Sequence, residues 1–432
     1  MKIYFTLAFL ISVTVLQAQN IKVYFNQSVD NSASSITDAR TSSHLEDTIC
    51  SLINSANITV DIAVWDNGSA AIISALNNAY NRGVQVRYIS SSNSLNSALS
   101  GLNSNISLLE RNSTLASNVM HNKFVIVDNA LLLTGSMNFG NGSMEDDYNN
   151  IVIVSNTALA QNYTAEFNEM WGSTAAAPNL SNSKFGPAKA DNTIHSFNIG
   201  GIVIQNYFSP TDNTSNQIVN AINSADYSLD IAMFTFTDND IGDAVVAAKN
   251  RGVNVRCIME NSNYFGSEYN SLVSNGIATF SHVNIANDFH HKYCIIDAMH
   301  GSSDPIVVTG SHNWSNSAED EYDENILIIN SEIIANQYTE EFLQRFSEFG
   351  SVGINETGKI NCYTIYPNPN SGDFFIESTN KNYSLDIVNL LGEQVLSEKN
   401  STVKRFSLPK GIYFIKITSE DKRESLQKVI VN

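Results

Sequence analysis

Hydrophobic and polar positions along this chain switch between two periods. The runs Ile58-Thr59-Val60-Asp61-Ile62-Ala63-Val64 and Val84-Gln85-Val86-Arg87 are short, rich in β-branched residues and bounded by turn formers, which predicts strands. Between them the pattern from Ala70 to Asn81 is helical and stops at Arg82-Gly83, where glycine enters the left-handed region without strain. The same order returns later: a helical pattern from Ile218 to Ala225, a strand around Asp230-Ile231-Ala232, a helix from Ile241 to Asn250, Arg251-Gly252, and a strand. Asp61 and Asp230, Arg82 and Arg251, and His121 and His290 are each 169 residues apart, so the chain contains a domain-sized duplication rather than a short solenoid repeat. Alternating strands and helices predict an α/β layered sandwich for each half. Asp61 and Asp230, inside their strands, read as structural.

Breaks in the pattern divide the chain. Met1-Lys2 and the apolar run from Ile3 to Val13 form an export signal with a cleavage site after Ala18. The run is shorter than the roughly 20 residues a membrane span needs. We therefore read residues 1–18 as a signal peptide, 19–171 and 201–349 as the two repeats, 172–200 as a small, polar, proline-broken linker and 350–361 as a second linker. Residues 362–432 alternate with the period of strands behind the turn cluster Tyr366-Pro367-Asn368-Pro369, which predicts a small all-β sandwich.

Composition narrows the class. With 43% hydrophobic and 16% charged residues the chain is globular. Its net charge of −19 opposes nonspecific binding of polyanions such as nucleic acid. The four cysteines are scattered, form no disulfide framework and lack zinc spacing; Cys257 and Cys294 lie in predicted core strands.

Candidate chemistry sits in a stretch that occurs twice: His121-Asn122-Lys123 followed by Phe124-Val125-Ile126-Val127-Asp128, and His290-His291-Lys292 followed by Tyr293-Cys294-Ile295-Ile296-Asp297. Each heads an apolar, strand-like run, so the His and Lys, two apart, face the same way. Gly135-Ser136-Met137-Asn138 and Gly310-Ser311-His312-Asn313 follow as turns presenting a hydroxyl and an amide. An imidazole, a fixed cation and neutral donors are what a phosphoryl group requires. His121 and His290 read as catalysts, Lys123, Lys292, Asn138 and Asn313 as holders of oxygen charge, and Ser136 and Ser311 as phosphate contacts. Asp128 and Asp297 read as pinning the lysine or the neighbouring backbone. Phe139 and Trp314 read as packing, and His291 and His312 as bystanders, with His291 on the opposite strand face from His290. The copies diverge at Ala298 to Thr309, a longer loop expected to border the site, and where Glu324 replaces Asn149, each 13 residues after its serine.

His-x-Lys-x4-Asp followed by Gly-Ser-x-Asn, in duplicate over roughly 20–350, resembles the phospholipase D superfamily. The resemblance implies two α/β sandwich halves about a pseudo-twofold axis, both His-Lys pairs at one site, and cofactor-free, metal-independent phosphodiester cleavage through a phosphohistidine. It further implies that Glu324 orients His290, leaving Asn149 as a neutral acceptor for His121, and it makes Asp128 and Asp297 members of the catalytic motif. The substrate reading leans to a phospholipid headgroup ester, with a nonspecific endonuclease as the alternative and a non-catalytic secreted binding protein as a third. Tyr-Pro-Asn-Pro-x-x-Gly, Leu408-Pro409-Lys410-Gly411-Ile412-Tyr413-Phe414 and the terminal Lys428-Val429-Ile430-Val431 resemble the C-terminal sorting domain of type IX secretion. That likeness implies the secretion machinery as partner and release or surface attachment in a Bacteroidota-like bacterium. A covalently joined pair of halves completes its own site, so a monomer is expected.

Overall fold

The computed structural model describes residues 20–352 except 34–35, 93–94, 113–118 and 299–302, and, in the tail, 363–366, 370, 372–378, 383–389, 393–399, 403–419 and 424–431. The signal segment, Cys362, the linker residues 353–361, Pro367-Asn368-Pro369 and the centre of the expected loop after Asp297 lie outside the described residues.

Each half is built on an eight-stranded mixed sheet. In the first, the strand Lys123–Val127 lies between Leu131–Gly135 and Thr59–Val64; in the second, Lys292–Ile296 lies between Ile306–Gly310 and Ser228–Met233. The parallel pairs Thr59–Val64 with Gln85–Ser91 and Ser228–Met233 with Asn254–Met259 are joined by the helices Ala70–Asn81 and Asn239–Asn250. The predicted helices form because Ser69 and Asp238 cap their first turns: the Ser69 side chain accepts from the Ile72 amide and Asp238 from those of Asp240 and Ile241.

The strands are buried on both faces, which explains their continuous apolar runs. Outer faces pack under helices, through Val60, Ile62, Leu76 and Val125 in one half and Leu229, Ile231, Val245 and Cys294 in the other. Inner faces share one core, in which Phe124, Ile126, Leu132 and Val152 meet Tyr293, Ile295, Val307 and Leu327, with Thr157–Trp171 and Glu332–Val352 supplying Tyr163, Phe167, Tyr338 and Phe342. Cys257 and Cys294 are buried and unpaired.

A polar cross at the centre registers the halves. Asn325 Oδ1 accepts from Thr134 (2.8 Å) and Tyr163 (3.0 Å), and Asn150 Oδ1 accepts from Thr309 (3.0 Å) and Tyr338 (2.9 Å). Two asparagines, each satisfied by the opposite or adjoining half, are the pseudo-twofold expressed in hydrogen bonds. Asp61 and Asp230 make buried, paired contacts to Arg87 (2.6 and 2.6 Å) and Arg256 (2.7 and 2.6 Å).

The stretch between the repeats is more than a tether. Ser196–Ile199 pairs with Ile202–Ser209 at the edge of the second sheet, and Gly186 and Lys189 are buried between the halves. The last helix runs to Val352, past the start of the second linker read at Gly350. The tail forms a three-stranded and a four-stranded antiparallel sheet that share a core including Phe374, Ile376, Phe406, Leu385, Ile387 and Ile415.

Candidate active site

The two histidines stand at the heads of their central strands, two residues before the lysines that open Lys123–Val127 and Lys292–Ile296. Both line a single cavity of about 580 Å³ together with Trp65, Asp66, Asn138, Asp147, Phe234 and Asp288. The following turns sit against it because Gly135 and Gly310 let strands touch: a Cβ at either would come within 2.2 Å of the Asn150 or Asn325 carbonyl oxygen.

Each imidazole is held by the other half. His121 Nδ1 lies 2.7 Å from Glu324 Oε1, and His290 Nδ1 lies 3.0 Å from Asn149 Oδ1. This corrects the expected assignment, in which Glu324 served His290 and Asn149 served His121. The physical reason is the twofold: strands bearing Asn149 and Glu324 end opposite the partner's motif, and the His121 amide donates to the Asp323 carbonyl (3.0 Å).

The partners also fix the tautomers. The Asn149 amide nitrogen donates to the Ser143 carbonyl (2.9 Å), so its oxygen faces His290 and His290 donates from Nδ1. Glu324, being a carboxylate, sets His121 the same way. Both Nε2 lone pairs are thus left for the cavity.

Ser136 and Ser311, expected at phosphate, are fully buried behind these partners. Ser136 Oγ donates to Asn149 Oδ1 (2.8 Å) and accepts from the Asn150 amide (3.1 Å), while Ser311 Oγ accepts from the Asn325 amide (3.0 Å) and hydrogen-bonds Glu324. Their hydroxyls are committed to orienting the groups that orient the rings.

Asp128 and Asp297 are likewise absent from the cavity lining. They close the far ends of their strands, about 16 Å from the lysines at ~3.3 Å per residue and further still from the histidines. Asp128 takes the amides of Asn57, Ile58 and Thr59 (3.0, 2.7 and 2.9 Å), and Asp297 those of Asp226, Tyr227 and Ser228 (3.0, 2.8 and 2.7 Å). Both hold a left-handed φ, 52° and 53°, which those three bonds stabilise. They pin backbone, as one of the two expected roles had it, and do not contact the lysines. The longer loop after Asp297 leaves and re-enters the sheet at this same far end, Ile296 pairing with Ile306, and its centre lies outside the described residues.

Lys123 Nζ donates to the His121 carbonyl (2.6 Å) and Lys292 Nζ to the His290 carbonyl (2.9 Å), with Trp65 and Phe234 rings 5.9 and 5.0 Å from the respective ammonium groups. Burial pushes Lys123 down to about 8 against the pull of Glu324 and Asp66, and burial plus Lys123 lowers Lys292. Burial, then the lysine charges, hold both histidines well below the usual imidazole value. Burial raises Glu324 to about 7, opposed by Lys123 and His312. A dianionic or monoanionic ligand entering this field relieves two crowded cations. Asn138 and Asn313 each carry a buried side-chain oxygen with no protein partner, and Asn138 lines the cavity.

His291 faces away from the cavity, between Asn150 (3.1 Å) and Glu341 (3.1 Å), where Tyr293 and Arg345 also meet Glu341. His312 is buried 3.6 Å from Glu319. Not found from sequence were the cavity's acids, Asp66, Asp147 and Asp288, and an ion cluster beside Glu324. There Asp323 meets Arg111 (2.5 Å), Lys189 (3.1 Å) and the Gly186 amide (2.7 Å), and Lys189 also meets Glu166 (2.5 Å). Asp66 follows a recognisable strand, but nothing in its spacing marks it as facing the histidines.

The family described as "Cardiolipin synthase, PLD-like domain" matches residues 49–171 and 218–346, and "Secretion system C-terminal sorting domain" matches 364–432. The mitochondrial cardiolipin hydrolase of Xenopus tropicalis is 31% identical over 173 residues, 40% of this chain and 70% of that protein. That of Chlamydomonas reinhardtii is 30% identical over 137 residues, 31% of this chain and 58% of that protein. Phosphatidylserine synthase of Haemophilus influenzae shares the fold, with a TM-score of 0.53 at 14% identity over 75% of this chain and 86% of its own. With both halves of its body matched and the paired motifs facing one cavity, the chain belongs to the phospholipase D superfamily and ends in a sorting domain that directs secretion or surface attachment.

Proposed function

We propose that this protein is an exported phosphodiesterase of phospholipase D type that hydrolyses a phospholipid headgroup ester. The observation that carries the reading is the pair of imidazoles on one cavity, each with Nδ1 held by the opposite half and Nε2 left toward the substrate. His121 Nε2 attacks phosphorus and the P–O bond to the leaving alcohol breaks, its oxygen taking a proton from His290. The phosphohistidine ring is cationic, and Glu324 beside Nδ1 stabilises it. His290, against a neutral amide and two lysines, takes up a proton from solvent when the anionic phosphate binds beside it, and is then a strong acid suited to the leaving group. Water then gives its proton to His290 and its oxygen to phosphorus, releasing His121 and a phosphomonoester. Lys123, Lys292, Asn138 and Asn313 hold the equatorial oxygens.

Lipid is favoured over nucleic acid by the cavity wall: Asp66, Asp147 and Asp288 line it, and among the described lining residues there is no lysine or arginine. A polyanion would carry its flanking phosphates against these acids. The signal segment and the sorting tail account for export. Purified protein in chelator, given phosphatidylethanolamine and phosphatidylcholine in micelles and plasmid DNA in parallel, is expected to release headgroup; nicked plasmid without headgroup would turn the assignment to endonuclease.

A further inference from the structure

The cavity is lopsided. Its acids have no counterparts across the pseudo-twofold: Asp66 corresponds to Thr235, Asp147 to Tyr322 and Asp288 to Val119. The space accordingly extends from the two histidines over the first half's loops, past Gly68, Ser97 and Asn141, with Phe234 and Asp288 closing it from the second.

Asp66 is the deepest of the three, 6% exposed, and its Oδ1 is buried with no hydrogen-bond partner in the protein. The Gly140 amide and the charge of Lys123 act on the group from the protein side, and Asp147 repels it. Asp147 in turn accepts from the Asp288 amide (3.0 Å), and Asp288 is exposed at the mouth. A buried acceptor left without a donor is a standing cost of folding unless a ligand supplies the donor.

We propose that Asp66, with Asp147 and Asp288 toward the mouth, forms a subsite for a primary ammonium, so that the preferred diester is an amino-alcohol ester of the phosphoethanolamine class. The chemistry discriminates among headgroups. A primary ammonium brings a positive charge and three N–H donors, whereas a trimethylammonium brings charge without a donor for Asp66 Oδ1. A glycerol headgroup brings a donor without charge, and a second phosphate brings the wrong charge. This rests on the reading of the site as a headgroup hydrolase and adds which headgroup.

The test compares kcat/KM for phosphatidylethanolamine, phosphatidylcholine and phosphatidylglycerol in mixed micelles, with calorimetric binding of O-phosphorylethanolamine and phosphorylcholine alongside. Wild-type protein is expected to prefer the ethanolamine lipid over both others by about tenfold or more, the range of one charge-assisted hydrogen bond. Asp66→Asn, which removes a buried charge and so does not endanger folding, is expected to lower that preference at least tenfold while phosphatidylglycerol turnover rises. Asp288→Asn, at the exposed mouth, lowers it two- to fivefold. Equal turnover of the three lipids, a choline preference, or an Asp66→Asn variant with an unchanged ratio would overturn the subsite and leave the hydrolase standing. If no lipid is cleaved, the hydrolase reading falls, and the calorimetry still decides the subsite: O-phosphorylethanolamine must bind at least tenfold more tightly than phosphorylcholine, and Asp66→Asn must erase the difference.

Discussion

Around His121 the ring's partner is a carboxylate, Glu324, preceded by Asp323 in a buried cluster with Arg111 and Lys189; around His290 the partner is an amide, Asn149, preceded by Tyr148. Tyr148 packs edge-on against His282 with the Arg345 guanidinium 4.9 Å above its ring. The backbones agree at these points, the Asp323 amide donating to the Val119 carbonyl (3.0 Å) and the Tyr148 amide to the Asp288 carbonyl (2.8 Å). Duplication therefore fixes where the imidazoles stand, and the side chains that differ decide what each does with a proton. A fully symmetrical pair would have two equal bases; this pair has one ring beside a negative charge and one beside a dipole.

The sharpest way to break the comparison is to remove each ring. His121→Ala and His290→Ala are each expected to lose at least about 10⁴-fold in kcat. Only the His290 variant should accumulate phosphoenzyme, read after an alkaline denaturing quench with a p-nitrophenyl diester whose leaving group needs no proton. Labelling of the His121 variant instead would reverse the roles.

Glu324→Gln keeps an oxygen for His121 but drops the charge, and a loss on the order of 10²-fold in kcat is expected, smaller than for a lost ring because the tautomer survives. Its pH profile sharpens the point. Glu324 is raised to about 7, so with Lys123, Lys292, His312 and Ser311 around it, wild-type kcat should fall as pH drops through that value. The glutamine variant should lack this limb.

In the ion cluster beside Glu324, Lys189→Met leaves Glu166 buried without its cation and Asp323 with Arg111 alone. A stability loss of about 3–5 kcal/mol is expected by denaturant titration. Asn149→Asp places a carboxylate beside His290 and should raise its proton affinity, moving the alkaline limb of kcat upward by about one pH unit.

The smallest effect concerns Asp66. Its carboxyl is raised by burial to about 6, so its favourable contribution to folding is complete below about 4 and is lost as pH rises through 6. Asp66→Asn should therefore raise Tm by a few degrees at pH 8 and hardly at all at pH 4.

Much of this was legible in the chain. Periodicity placed the helix Ala70–Asn81 at its observed bounds, and the repeated histidines at the heads of central strands converge on one cavity. What escaped was whatever depends on the axis between the halves. Sequence proximity allied Glu324 with His290, but a twofold exchanges partners, and only a three-dimensional arrangement reveals it. Asp128 and Asp297 travel with their motifs along the chain, yet a five-residue strand carries them out of reach. Ser136 and Ser311 have the right chemistry for phosphate, and burial decides otherwise. Lys189 lay in a stretch whose composition announced only a connector.

The bond from Arg111 to Asp323 spans 212 positions and that from His121 to Glu324 spans 203. Neither can exist while only the first half has been made, and a chain threaded through a pore in extended form holds neither. The two histidines are thus brought together last, by closure of the finished polypeptide on itself.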